Sequence, residues 1–358
     1  MELNSSFWKN RSVFVTGHTG FKGGWLTLWL TNMGAKVSGY SLSAPTTPNF
    51  FTETNLRERL ENSTIDNIQN FSVLKSALLN AKPSIVIHMA AQPLVSKSYK
   101  DPADTYLTNI IGTVNLLEAI RKTDSTKAIV NITSDKCYEN KEQIKPYKEN
   151  DRLGGYDPYS SSKACAELVS ATYRNSFLRD KGINIATVRA GNVIGGGDWA
   201  DDRLIPDFLR SIDTGKKLYV RSPNAIRPWQ HVLEPLSGYL ILAEKLVNNG
   251  EDFAEAWNFG PEVNDSKSVS WVINYLSQKV SNLDWGIDKT SKPHETNLLL
   301  LDSTKSKSKL GWKPRWSLET ALDKIIEWHQ AWVGNKKMDE VSISQINSYH
   351  NNFNDKFI

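Results

Sequence analysis

The chain has 358 residues, 39% of them apolar, a net charge of +4 and two cysteines, Cys137 and Cys165. That size supports one large α/β unit or two smaller domains, and two cysteines without metal-ligand spacing exclude a disulfide framework and point to a reducing compartment, the cytoplasm. The lysines are scattered without aromatic interleaving, no stretch approaches the roughly 18 apolar residues of a membrane span, and MELNSSFWKNRS lacks a long apolar segment, so nucleic-acid, membrane and secretory classes are set aside.

Residues 13–16 read as a buried strand that breaks into glycines at Gly17, Gly20 and Gly23. Downstream, Trp25, Leu26, Leu28, Trp29 and Leu30 give a helix a broad apolar face. Strand, glycine turn and helix in that order make a phosphate-binding unit. Only glycine lets a diphosphate reach backbone N–H groups at a helix N-terminus. Further strands are expected at 37–40, 85–89, 128–133 and 183–189, with a weaker one near 63–66. Helical stretches at 103–121 and 159–181 lie between them. This alternation predicts a doubly wound parallel sheet of the Rossmann type.

After Arg189 the text turns to Gly, Pro and Trp clusters at 191–207 and 221–230. Loops of this kind over a rigid sheet build substrate sites. An amphipathic segment at 232–246 and a strand at 256–259 return to the main sheet. From about Gly334 the chain is polar, rich in Asn, Lys and Ser, and is expected to be loosely ordered.

Tyr159 and Lys163 stand four apart at the start of a helical stretch, so both project from one face. An ammonium beside a phenol lowers the phenol's pKa and suits it to act as a base. The spacing is not diagnostic alone, because Tyr275 and Lys279 repeat it. Position separates the two pairs: Tyr159 follows the strand at 128–133, whose carboxyl end releases Ser134, Asp135 and Lys136. Ligands of open parallel sheets bind just past such ends. Ser134 can bond a substrate hydroxyl, and Asp135 with Lys136 forms an acid/base pair.

Gly17-x-x-Gly20-x-x-Gly23, Ser134 at a strand end and Tyr159-x-x-x-Lys163 together resemble the extended short-chain dehydrogenase/reductase family, over roughly residues 10 to 335. His88-Met89-Ala90-Ala91-Gln92, Asn109-x-x-Gly112-Thr113 and Arg189-x-x-Asn192 support the match. The blocks TGHTGFKGGWL, TSDKCYEN, VIGGGDWADDRLIPD and RPWQHVLEPLSGYL are similar to those of its CDP-D-glucose 4,6-dehydratases.

The resemblance implies an NAD-dependent hydro-lyase with a smaller C-terminal α/β substrate-binding domain. Residues 1–190 and about 231–260 would bind NAD, 191–230 and about 261–335 the nucleotide sugar, and 336–358 would form a polar tail. By the same resemblance, Tyr159 takes the C4 hydroxyl proton, Ser134 orients that hydroxyl and Lys163 holds the nicotinamide ribose. Asp135 is the acid toward the C6 hydroxyl and Lys136 the C5 base. Gly17, His18, Thr19, Gly20, Phe21, Lys22 and Gly23 would surround the cofactor diphosphate. Asp66 would meet the adenine, with Ala90, Ala91, Gln92 and Asn109 also on the cofactor side. The usual ribose-gripping acid is missing from Tyr40-Ser41-Leu42-Ser43, which implies exchangeable NAD.

Asn192, Asp198, Trp199, Arg203, Arg227, Trp229 and Glu295 would meet CDP-D-glucose. Either tryptophan would serve equally as a packing anchor. His231 is expected to be structural, and His18 and His88 are too dispersed for a metal site. Helices 103–121 and 159–181 would pair with a second copy in a four-helix dimer interface. A nucleotide-sugar 4-epimerase would share most of these residues without needing Asp135 and Lys136, and a non-catalytic dinucleotide sensor would dispense with the tyrosine or the lysine.

Overall fold

The computed structural model describes residues 3–280, 283–288 and 298–351. Six β-branched runs form the strands Ser12–Thr16 (β1), Lys36–Ser41 (β2), Asn62–Ile65 (β3), Ile85–His88 (β4), Ala128–Ile132 (β5) and Asn184–Arg189 (β6). Shorter strands follow at Val193–Ile194 (β7), Leu218–Val220 (β8), Ile226–Pro228 (β9), Gln230–His231 (β10), Ala256–Asn258 (β11), Ser266–Ser268 (β12) and Trp285–Ile287 (β13). The main sheet runs β11-β6-β5-β4-β1-β2-β3 with every neighbour pair parallel. Helices cover both faces, so the central strands are buried throughout and read as continuous apolar runs.

The chain winds outward from β1 to β3, then crosses back to place β4 on the other side of β1. The strand order therefore reverses between β1 and β4, which opens a crevice at their carboxyl ends. Register makes those ends flush: Thr16 pairs with His88, His88 with Asn131 and Ile132 with Val188. The loops after β1, β4, β5 and β6 consequently leave the sheet along one edge.

One core lies between the sheet and the helices Phe21–Asn32 and Leu233–Asn249, and holds Trp25, Leu28, Leu236 and Leu240. A second, on the opposite face, gathers Leu74, Leu78, Leu116, Ile120 and Ile185. A third packs Ile205, Phe208, Leu218, Val220, Trp229 and Val272 beside the main sheet. The helix Leu318–Val333 joins the third core through Leu318, Leu322 and Ile325 and the first through Trp328 and Ala331.

The helical stretch 103–121 is Pro102–Tyr106 followed by a π turn, Leu107–Ile111, and the helix Gly112–Arg121. The stretch 159–181 is the helix Pro158–Tyr173 with a π turn at Arg174–Leu178 and a last tight turn ending at Gly182, φ +65°.

The expectation of a loosely ordered tail is corrected as far as residue 351. Met338–Asn351 is a helix whose Met338, Ser342, Gln345, Ile346 and Tyr349 are buried. Trp328 Nε1 donates to Ser342 Oγ at 2.9 Å, and the Tyr349 hydroxyl donates to the Glu234 carboxylate at 2.6 Å. Two of the five inward positions are polar, so composition hides a face that the helical spacing 338, 342, 345, 346 and 349 displays.

Candidate active site

Gly17 ends β1 at φ +78°, and a Cβ there would lie 2.8 Å from the Ala90 nitrogen. A Cβ on Gly23 would overlap the Gly17 carbonyl. These two glycines let the turn close against both the loop after β4 and its own helix. Gly20 is the N-cap of Phe21–Asn32 and places no side-chain cap on the helix N–H groups. Bare backbone donors at a helix N-terminus suit a diphosphate.

This turn lines one end of a cavity of about 1110 Å³. Gly17, Thr19, Gly20, Phe21, Lys22, Gly23, Asp66, Ala90, Ala91 and Gln92 border it, and so do Ser134, Asp135, Lys136, Tyr159 and Lys163. Asn192, Asp198, Trp199, Arg203, Arg227 and Trp229 also line it. Residues spread over two hundred positions thus meet in one space. Its glycine turn, uncapped helix end and Asp66 fit a dinucleotide.

Two cofactor-side residues stand elsewhere. The His18 side chain does not border the cavity: its ring packs under Gly39, its Nε2 meets Ser63 Oγ at 2.8 Å, and burial pulls it down to about 4. A neutral buried ring there ties the turn to β2 and β3. Asn109 sits behind the wall, where its Oδ1 accepts from Gln92 N at 2.8 Å and its Nδ2 donates to Ser162 Oγ at 2.8 Å. It braces the loop 90–92 against the helix that carries Tyr159. Glu295 lies outside the described residues.

Asp157 caps the Tyr159 helix by accepting from Ser160 N at 2.9 Å, and Pro158 opens its first turn. Tyr159 and Lys163 therefore start a rigid helix and point into the crevice. Their coupling differs from expectation. The Lys163 ammonium donates to the Ile132 carbonyl at 3.1 Å, and burial brings it down to about 8, with Glu167 opposing. Burial pushes the Tyr159 phenol up to about 12, against the pull of Ser134 within hydrogen-bonding reach. Desolvation of the charged phenolate outweighs the lowering by Ser134 and Arg203.

Burial also raises Asp135 above the ordinary carboxyl range, against Lys136, Ser134 and Arg227. Its Oδ1 accepts from Ser134 Oγ at 3.0 Å, while the buried Oδ2 has no protein partner. A rise in this direction favours the protonated form, the one that can act as an acid. Lys136, half-buried, follows it in the tight turn Asp135–Cys137.

Sequence reading missed the support beneath these groups. Glu167 accepts from Thr133 at 2.5 Å, Thr187 at 2.6 Å and both arms of Arg189 at 2.9 Å. Arg189 also donates to the Tyr138 hydroxyl at 2.8 Å. This buried network clamps the ends of β5 and β6 just under Ser134. Its one sequence signal is the four-residue step from Lys163 to Glu167 on one helix.

In the far half of the cavity, Arg203 donates to Asp198 at 2.8 Å, so Asp198 holds the guanidinium in place. Trp199 packs edge-on against Trp328 and Trp332, and Trp229 donates to the Lys267 carbonyl at 3.0 Å while standing in the third core. Both tryptophans are anchors as well as wall. His231 is structural: it packs against Trp25 and Trp316. Tyr275 and Lys279, the second pair with the same spacing, both reach Asp323 on the surface. No cluster of metal-ligating side chains occurs among the described residues, and no described helix is long and apolar enough to cross a membrane.

A Rossmann-type sheet with a glycine turn at its switch point and a Tyr–Lys helix beside it defines an extended short-chain dehydrogenase/reductase. Within that class the chain belongs to the GDP-mannose 4,6 dehydratase family, whose model matches residues 14–325. It is 50% identical over 353 residues to the CDP-glucose 4,6-dehydratase of Salmonella typhimurium, covering 97% of this chain and 98% of that protein. The dTDP-glucose 4,6-dehydratase of Xanthomonas campestris is 24% identical, over 89% of this chain and 94% of its own. Among solved structures, the dTDP-glucose 4,6-dehydratase of Bacillus anthracis in complex with NAD superposes with a TM-score of 0.74 at 21% identity, covering 92% of this chain and 99% of the other.

Proposed function

We propose that this protein is an NAD-dependent CDP-D-glucose 4,6-dehydratase, which converts CDP-D-glucose to CDP-4-dehydro-6-deoxy-D-glucose and water. The observation that carries the reading is the acid/base step Asp135-Lys136 in one cavity with Ser134, Tyr159 and Lys163. An epimerase, which returns hydride to C4, has no use for that step. Similarity along nearly the whole chain to a protein of that activity supports the choice of sugar nucleotide.

NAD+, when bound, supplies a hydride acceptor for sugar C4 and then the donor that returns the hydride at C6. The glycine turn, Lys22 and Asp66 would hold it, with Lys163 on the nicotinamide ribose. Burial by itself holds the Tyr159 phenol high, so a positive charge on the nicotinamide beside it would be what lowers it to a phenolate; in that form Tyr159 takes the C4 hydroxyl proton while Ser134 orients that hydroxyl. The ketone at C4 acidifies the C5 proton, which Lys136 removes as the C5–C6 double bond forms. Asp135 gives its proton to the departing C6 hydroxyl, which leaves as water. A proton returned to C5 completes the product. Arg203 and Arg227 would meet the CDP diphosphate with planar forks.

In this reading the main sheet serves the dinucleotide, and the lobe built from 191–230 and 261–335 serves the nucleotide sugar. The outer faces of Pro102–Arg121 and Pro158–Leu178 leave Leu107, Ile111, Leu168 and Phe177 exposed at 42–58%, which suits a four-helix contact with a second copy. Free Cys137 and Cys165 suit the cytoplasm.

The test is incubation with NAD+ and CDP-glucose labelled with deuterium at C4, in ordinary and heavy water. The reading expects the label at C6 and one solvent hydrogen at C5. Label retained at C4 with no exchange at C5 would indicate an epimerase, and no turnover would end the proposal.

A further inference from the structure

The Asp135 carboxyl rests on the Gly191 backbone, so close that only a residue without a side chain leaves room for its Oδ2. What fixes Gly191 therefore fixes the acid of the proposed reaction. Gly191 lies just past the end of β6, where the ladder with β11 goes no further than Asn258 beside Arg189, and the last backbone bond there runs from Phe259 N to the Arg189 carbonyl at 2.8 Å. Gln230 takes over from that point. Its Nε2 donates to the Phe259 carbonyl at 2.8 Å and to the Gly191 carbonyl at 3.3 Å, and both bonds are buried. The two protons of one amide thus join the chains where backbone pairing has ended. Gln230 can hold them because the backbone pins it in turn. β10 pairs with β7, with Gln230 N donating to the Asn192 carbonyl at 3.2 Å and Val232 N to the Ile194 carbonyl at 2.7 Å. Asn192 takes φ +40°, so Gly191 sits between a strand end and a left-handed residue, with its carbonyl on the Gln230 amide.

We infer that Gln230 is a positioning residue for the loss of water, because its amide holds the Gly191 backbone at the place that sets the Asp135 carboxyl. The inference rests on Asp135 as the acid of the reading above. Gln230 is buried and is not among the residues that line the cavity, so it acts through Gly191 rather than on the sugar. Tyr159 and Lys163, which serve oxidation at C4, stand on the helix Pro158–Tyr173, and this amide makes no bond to that helix. Removing the amide leaves two buried carbonyls without its donors, and such groups regain partners only by moving. A shift of the acid by about 1 Å costs on the order of 10²-fold in the step it serves. The loss of water should feel that shift, and the oxidation that precedes it should not.

The experiment mixes the full-length protein with NAD+ and CDP-glucose and follows NADH absorbance for oxidation at C4 and quenched product for the loss of water. Gln230→Met, of similar length but without a donor, is expected to form NADH within about 3-fold of the wild-type rate and to lose water about 100-fold more slowly, so that NADH accumulates. Gln230→Glu, which keeps the shape and as a neutral acid can keep one of the two bonds, is expected to slow the same step by about 10-fold. It carries the test if Gln230→Met does not fold. The double variant with Gly191→Ala is expected to lose water within about 3-fold of the rate of Gly191→Ala alone, since both changes displace the same carboxyl. Multiplied losses in the double variant would show that Gln230 acts apart from Gly191 and would overturn the inference. Equal losses in the two steps would reduce the amide to a support of the fold, and an unchanged rate of water loss would leave it no role; either result also overturns it. Failure of the wild type to turn over CDP-glucose would instead strike the proposed function itself.

Discussion

A Cβ placed on Gly191 would overlap Oδ2 of Asp135, so the buried carboxyl and the Gly191 backbone share one space. Gly191→Ala must therefore displace the carboxyl while leaving Tyr159 and Lys163, on another element, in place. With CDP-glucose, the variant is expected to form NADH at C4 oxidation yet to lose water about 10²–10³-fold more slowly. Asp135→Asn should show the same split. Rapid mixing with absorbance for NADH and quenched assays for product separates the steps; equal loss in both would refute the role of Asp135.

Lys22 is half-buried in the cavity wall, its Nζ 3.5 Å from the Tyr239 hydroxyl. Burial, helped by Lys163 and Arg203, brings it down to about 7. It is charged below that pH and neutral above. If it holds the diphosphate, NAD+ affinity should fall as pH rises from 6 to 8, and Lys22→Ala should weaken binding about 10-fold at pH 6 and flatten the dependence. With no ribose-gripping acid at Tyr40-Ser41-Leu42-Ser43, the purified wild type should release NAD+ on gel filtration. Calorimetric titration at several pH values checks both; unchanged affinity in the variant discards the contact.

Three histidines are buried neutral: His18 falls to about 4, and His88 and His231 to about 3, each chiefly by burial. In the unfolded chain they titrate near 6.5. Below that value the unfolded state binds protons that the folded state refuses, so stability present above pH 6.5 is lost as pH falls toward 4. Near pH 5 the three together give a slope of about 4 kcal/mol per pH unit. Urea unfolding between pH 7 and 5 measures it. His231→Asn keeps an acceptor for the Leu233 N–H, which reaches His231 Nδ1 at 3.3 Å, and should remove about one third of the slope.

Leu168, 58% exposed on the Tyr159 helix, lies on the proposed contact with a second copy. Sedimentation of the wild type at micromolar concentration should give a dimer. Leu168→Lys with Ile111→Lys should give a monomer with unchanged helix content, because neither side chain serves the subunit's own core. A monomeric wild type would refute the interface.

Much of this site was legible because its parts are short and local. The glycine turn, the Ser134-Asp135-Lys136 step and the Tyr159–Lys163 helix each carry their chemistry within a few residues, and each lines the cavity. His18 sits inside the glycine motif yet points under Gly39, since only the packing of β2 and β3 decides which way a turn residue faces. Asn109 was placed on the cofactor and instead braces Gln92. The helix Met338–Asn351 was hidden because two of its inward residues are polar and find partners far along the chain.

The sequence by itself determined the alternation of strands and helices, the turn that suits a diphosphate and the set of reacting groups, since hydrophobic period and motif spacing act over one or two turns of chain. Tertiary structure alone decided how those groups ionise and what they touch. Tyr159 stands near 12, Asp135 above its usual value and Lys163 against the Ile132 carbonyl, because burial and the charges around a group come from elements tens of residues apart.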